Sequence, residues 1–320
     1  MKTWLIIILI LADGHSFARQ QVKSISVKEV CSVGNPDGSS FIQVGDVAVD
    51  SKGNIYVTDR YQYKVKKFDR QGRYLSEFGG RGKGVGKFQA GPFKIDCASD
   101  TIAVVDVGTP NVLFSTIDFK MLGEFTAHGP IVDIAFDGKG RLYAAAIPGG
   151  DNDEVIKLYD KKGEVVAHIP LRPMRNDLAY QMTMLAVDPR NRLVVAFSYN
   201  NRVIIYSEAH QVLTEFKVQG LPDEAAAENF NGEQKGAIPE GEIFRDVACD
   251  GKGWIYLLGG FYSRHPNRDV YVFNEQGELV ASFVLPDESG MLSIDRQGYL
   301  YTRERQRTVV KKYILIYIYH

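Results

Sequence analysis

The sequence is short of cysteine, of surplus charge, of long apolar runs and of helical periodicity, and each shortage removes a class of protein. Three cysteines in 320 residues, Cys31, Cys97 and Cys249, allow at most one disulfide. They form neither a CxxC pair nor a metal-like spacing, and Cys97 and Cys249 sit beside aspartates in apolar runs, where they read as small core residues. A formal charge of −1 gives no general reason to bind nucleic acid or an acidic membrane surface. The apolar run Trp4 to Ala12 is too short to span a bilayer, which takes roughly 20 apolar residues. No internal segment holds a helical period for more than a turn or two.

The N-terminus has a different reading. Met1-Lys2, the run from Trp4 to Ala12, and Ser16-Phe17-Ala18 form a basic start, a hydrophobic stretch and small residues before a cleavage point. This predicts a signal peptide over residues 1–18, a mature chain from Arg19, and export to the periplasm, cell surface or extracellular space. Residues 19–320 are then a single domain.

The remaining chain repeats one unit. Gly45 to Asp59 reads as two short strands around a Ser-Lys-Gly-Asn turn, with β-branched and aromatic residues suited to a pleated strand. Aligning on the last residue of the first strand gives Asp50, Asp96, Asp137, Asp188, Asp250 and Asp295, at blade-like intervals of about 40 to 60 residues. Tyr63 to Phe68 and Arg73 to Phe78 supply third and fourth strands around Asp69-Arg-Gln-Gly72. The expected fold is all-β, a six-bladed propeller of four-stranded antiparallel blades. The sixth unit lacks a fourth strand and Val22 to Val33 is a strand without a unit, so the two should pair, closing the ring and removing an edge.

Asp46 to Asp59, followed by Lys64-Val65-Lys-Lys-Phe68-Asp69-Arg-Gln-Gly72 and Phe78-Gly79, resembles NHL repeats, as does Gly82-Lys-Gly84-Val-Gly86-Lys-Phe88 before Pro92. The likeness is specific in the first unit and its exit loop, looser in units three and five, and degenerate in the rest. It implies a binding platform, since NHL-like propellers are mostly that. Some relatives are lyases with histidine-bound zinc, and lactonase-type relatives hold calcium through carboxylates. Here His128, His168, His210, His265 and His320 fall at unrelated positions, which argues against a zinc site needing three or four convergent ligands.

Gly80 to Gly86 is glycine-rich but lacks Gly-Lys-Ser/Thr and a following helix, so it reads as an inter-blade connection rather than a phosphate loop. The anchor aspartates read as turn formers. Four residues before each anchor stand Asp46, Pro92, Asp133, Met184, Asp246 and Met291, at the start of strands that line a propeller's channel. Carboxylates in blades one, three and five would repel one another. The candidate offsets are Arg245, ordered water, raised carboxylate pKa values or a hard cation such as calcium. The plainer reading is that each carboxylate caps amides of its own blade.

Loop lengths point to one face. The turns joining first to second and third to fourth strands are short, whereas 147–154, 172–182, 219–243 and 259–269 join second to third strands or cross between blades. That face gathers Arg60, Tyr61, Arg81, Arg175, Tyr199, Arg202, Tyr262, Arg264, Arg303 and Arg305, with Asp151, Asp153, Glu154 and Asp223 among them. A protein, peptide or glycan ligand is expected there, with the three carboxylates at the centre. The alternative is a cation-dependent lyase or a lactonase- or hydrolase-like enzyme using Asp46, Asp133 and Asp246. A monomer is expected, with no nucleic acid partner and no membrane span. The apolar run Ile314 to Tyr319 has no explanation at this stage.

Overall fold

A computed structural model describes residues 22–35, 40–127, 129–147, 155–171, 182–228, 238–261, 266–304 and 308–319. Residues 1–18, read from the sequence as a signal peptide, lie outside these residues. So do His128, Asp151, Asp153, Glu154, Arg175, Tyr262, Arg264, His265, Arg305 and His320.

Six four-stranded antiparallel sheets follow one another along the chain, and no helix occurs among the described residues. The first strands are Val44–Val49, Pro92–Ala98, Ile131–Phe136, Thr183–Val187, Phe244–Cys249 and Ser289–Ile294. The strand Val22–Val33 pairs with Val310–Tyr319 as the outer strand of blade six, so the first and last described strands share one sheet. Closing the ring this way covers the edge that blade six would otherwise expose.

The turns show why the sequence repeats. Asp50 accepts hydrogen bonds from the amides of Lys52 and Asn54 through one oxygen and from the Tyr56 hydroxyl through the other. Asp250 does the same for Lys252, Trp254 and Tyr256, and Asp295 for Gln297, Tyr299 and Tyr301. A carboxylate that bonds backbone two and four residues ahead closes the turn locally. The turn also needs a left-handed residue: Gly53 has φ 84°, and in blade four Asn191 fills that position at φ 60°. Burial and the neighbouring anchor carboxylate hold the phenols of Tyr56, Tyr256 and Tyr301 above their ordinary pKa, so they act as donors throughout.

The buried apolar residues form six clusters, one between each pair of neighbouring blades. Between blades one and two, for example, Ala48, Tyr56 and Val65 meet Ile95, Ile102 and Leu113. A single blade cannot bury both faces of its sheet, so stability depends on the closed ring.

Blade two corrects one sequence assignment. Its first strand runs on to Ala98, which pairs with Thr101 across a tight turn at Ser99, φ 53°. Ile95 pairs with Val104 as Val47 pairs with Val57, so the blade-two counterpart of Asp46 is Lys94 and not Pro92. Asp96 is therefore no turn anchor. It lies inside the first strand, two residues short of the turn.

Candidate functional site

The six equivalent positions around the channel are Asp46, Lys94, Asp133, Met184, Asp246 and Met291. First strands face the axis, and four of these side chains, Asp46, Lys94, Asp133 and Asp246, line the channel, while Met184 and Met291 pack into the clusters between blades four and five and between blades six and one. The ammonium of Lys94 lies 3.0 Å from Asp133, 3.7 Å from Asp46 and 3.8 Å from Asp246. The three carboxylates converge as the alternating pattern requires, and the charge that offsets them is a lysine of the same chain. Where the sequence reading offered Arg245, ordered water, raised carboxylate pKa values or a hard cation, Lys94 Nζ stands among the three carboxylates. Arg245, the other in-chain candidate, turns aside to Glu242 at 2.5 Å and to the Gly290 carbonyl.

The other carboxylate bonds go to backbone. Asp46 accepts from its own neighbour Val47 and from Ile95 of blade two. Asp133 accepts from Leu185 of blade four, and Asp246 accepts from Val247 and from Leu292 of blade six. The expectation of amide capping within a blade holds for Asp46 and Asp246. Each of the three aspartates fastens its blade to the next one through a backbone amide of that blade's first strand.

The electrostatics follow from burial. Burial raises the Asp46 carboxyl pKa and pushes that of Asp133 up to about 6, while Lys94 pulls both down. Burial disfavours the Lys94 ammonium, but attraction to Asp133, Asp246 and Asp46 outweighs it and holds the group protonated. At an effective dielectric near 20 the closest pair attracts by about 5 kcal/mol before desolvation is charged against it. Asp96 faces the same channel and accepts from the amides of Cys97 and Phe136. Burial, then the fields of Asp46 and Asp133, push its pKa up to about 7.

These residues line a channel cavity of about 210 Å³ that runs from the Asp46, Lys94, Asp133 and Asp246 ring to the anchor end of the first strands. The cavity holds protein donors on most of its carboxylate oxygens. Among the described residues, no group of three or more histidine, cysteine, aspartate or glutamate side chains is arranged to hold a metal ion. A lysine inside a ligand set repels a divalent cation, so the donor set does not fit calcium.

The residues assigned to the long-loop face divide in two. Tyr61 and Arg81 are exposed and Arg60 is half-buried, with the Arg60 guanidinium over the Tyr61 ring and that of Arg81 over Tyr63. Tyr199 is half-buried, its pKa raised by burial and then by Glu242. Arg202 is buried, 2.8 Å from Glu215 and stacked over Phe197. Arg303 is also buried. It donates to the carbonyls of Val44 and Gly45 in blade one and Gly290 in blade six, which makes it a clasp across the ring seam. A Cβ at Gly290 would displace the guanidinium from this position. Arg202 and Arg303 are thus buried and bonded within the chain. A cavity of about 230 Å³ between blades five and six is lined by Glu242, Arg245, Phe261, Asn267, Glu288 and Glu304, among others.

Lys94 is the residue that sequence reasoning missed. Its signal was a charged residue in the middle of an apolar first strand, Phe93-Lys94-Ile95, hidden by the mistaken anchor at Asp96.

Comparison with known proteins agrees with this architecture. A sequence-family profile described as a 6-bladed beta-propeller matches residues 37–132. No curated protein matches the chain in sequence. Among solved structures, virginiamycin B lyase from Staphylococcus aureus superposes with a TM-score of 0.55 at 12% identity, covering 91% of this chain and 89% of the lyase. A streptogramin B lyase gives 0.57 at 10% identity, over 92% and 98% of the two chains. The WD40 repeats of RRP9 give 0.57 at 12%, over 93% and 99%. Likenesses at these identities show a shared propeller fold, and the profile match describes it as six-bladed.

Proposed function

We propose that this protein is an exported, monomeric binding platform of NHL-like type that takes a protein, peptide or glycan on its long-loop face. One contrast carries the reading. The channel carboxylates are engaged by Lys94 and by backbone amides, whereas the rim offers exposed Tyr61 and Arg81 and half-buried Arg60. The cavity beside Glu242 and Arg245 adds a concave polar feature on the same rim. Long connections on a rigid scaffold are where recognition concentrates. The catalytic alternative has less support, because the aspartates it needs already have partners.

Peptide and glycan arrays probed with residues 19–320 test the reading. Arg81→Ala and Arg245→Ala should abolish the strongest array signals without lowering the unfolding temperature. An array on which every signal is unchanged by both substitutions would refute it. N-terminal sequencing of protein from its host tests export, since an intact Met1 on soluble intracellular protein contradicts it.

A further inference from the structure

The apolar C-terminal run builds a second recognition feature, on the face away from the long connections. The third strand of blade six, Val310–Tyr319, has 10 residues, against 5 for Lys64–Phe68 in blade one. Its pairing with the second strand ends at Ile314, opposite Tyr299. From Leu315 to Tyr319 it pairs with the segment Val22 to Val27 of the N-terminal strand. A two-stranded ribbon thus runs on past the sheet, beside the short turns.

One side of the ribbon is anchored. Leu315 and Tyr317 pack into the cluster that contains Tyr256 and Trp254, and the hydroxyls of Tyr317 and Tyr256 lie 2.7 Å apart. Ile316 and Ile318 remain exposed, at 43% and 50%. Between the ribbon and the turns of blades one, five and six lies a groove of about 690 Å³, within the size range of ligand sites.

Five basic side chains line that groove: Lys52, Arg70, Lys252, Arg296 and Lys312. None has a carboxylate within ion-pairing distance among the described residues, although Lys67 and Lys311 of blades one and six are paired. Asp250 borders the groove, but its oxygens are taken by its own turn and by Tyr256. Lys312 is buried, donates to the Arg70 carbonyl and sits 4.1 Å over the Tyr299 ring. Five cations around one concavity repel one another and favour an anionic occupant. The remaining wall is apolar, from Val30, Ile314 and Leu315.

We infer that the groove binds an extended acidic peptide, which adds as a strand along the edge of Leu315 to Tyr319 that the second strand leaves unpaired. The carboxylates of such a peptide can meet the cations, and its apolar residues the wall of Val30, Ile314 and Leu315. An acidic glycan is the lesser fit. Tyr299 and Tyr317 each already carry an ammonium over the ring, from Lys312 and Lys252, and the apolar wall has no sugar hydroxyls to satisfy.

Fluorescence anisotropy with a labelled octapeptide alternating glutamate and valine tests this. The full chain should bind it, more weakly as salt rises, and should not bind the lysine–valine counterpart. Arg70 and Arg296 are exposed, so the double variant Arg70→Ala, Arg296→Ala should fold normally and lose roughly tenfold in affinity. Lys52→Ala provides a second variant. Alternate N-methylation of the peptide should abolish binding, because it removes the strand-pairing amides. Four results would overturn the inference: no saturable binding, equal binding by the double variant, unchanged affinity after N-methylation, or binding of a sulfated oligosaccharide in place of the peptide.

Discussion

Lys94 in blade two meets Asp133 in blade three, ammonium to carboxylate at 3.0 Å, from ladder positions that are equivalent in the two sheets. Propeller symmetry therefore brings one lysine among three aspartates, while Met184 and Met291, at the two remaining equivalent positions, pack into inter-blade clusters. The lysine makes the aspartates tolerable together in a largely buried place.

Lys94→Met should consequently be among the most damaging conservative-volume changes in the chain. Removing one partner leaves buried carboxylates uncompensated, a loss of about 3–5 kcal/mol. Urea denaturation monitored by tryptophan fluorescence measures it, and a change below about 1 kcal/mol would show that the ring tolerates its own repulsion.

Calcium should leave the thermal midpoint of the wild-type protein unchanged, because the Lys94 ammonium stands among the carboxylates that would bind it. Thermal unfolding with calcium and with a chelator checks this. A calcium-dependent rise that disappears in Asp133→Asn would restore the cation reading.

The raised carboxyls of Asp96, about 7, and Asp133, about 6, give an unusual pH dependence. Both lie above the unfolded value of about 3.9. Between about pH 4 and 7 the folded chain holds protons that the unfolded chain has released, so this contribution falls as pH rises. Each group contributes a slope of up to about 1.4 kcal/mol per pH unit. Asp96→Asn should flatten the stability profile in that window, as read by denaturation at several pH values. An unchanged slope in the variant would place the titration elsewhere.

Arg303→Ala should lower stability by about 3 kcal/mol, since it frees the carbonyls of Val44, Gly45 and Gly290 at the ring seam. The same change should leave ligand affinity unaltered in folded protein. Loss of affinity with full stability would return Arg303 to the binding surface.

Deleting residues 19–34 removes the strand that covers Val310–Tyr319 and should cause aggregation and a lower unfolding temperature. Size-exclusion chromatography and thermal melts of the truncated chain decide it, with unchanged behaviour counting against ring closure.

The fold was legible because its instructions are local. Alternating apolar residues recur in each unit, and Asp-x-x-Gly turns with second-strand tyrosines recur in blades one, three, five and six, with turn bonds made within about ten residues of chain. The same locality explains the failure in blade two. Its turn has neither the anchor aspartate nor the glycine, so Asp96 was taken for the anchor and the register slipped by two residues, from Lys94 to Pro92. The spare N-terminal strand was legible from counting strands alone.

Sequence by itself determined that this chain is a ring of six sheets, because hairpin turns and strand alternation are short-range and repeat. Tertiary structure alone decided what the charged residues do. That Lys94 stands among Asp46, Asp133 and Asp246, that Arg303 donates across the seam, and which cations crowd one groove all depend on neighbours far away in the chain. Those neighbours come together only when the ring closes, because a side chain's electrostatic partner is set by distance in space and carries no signature in local periodicity.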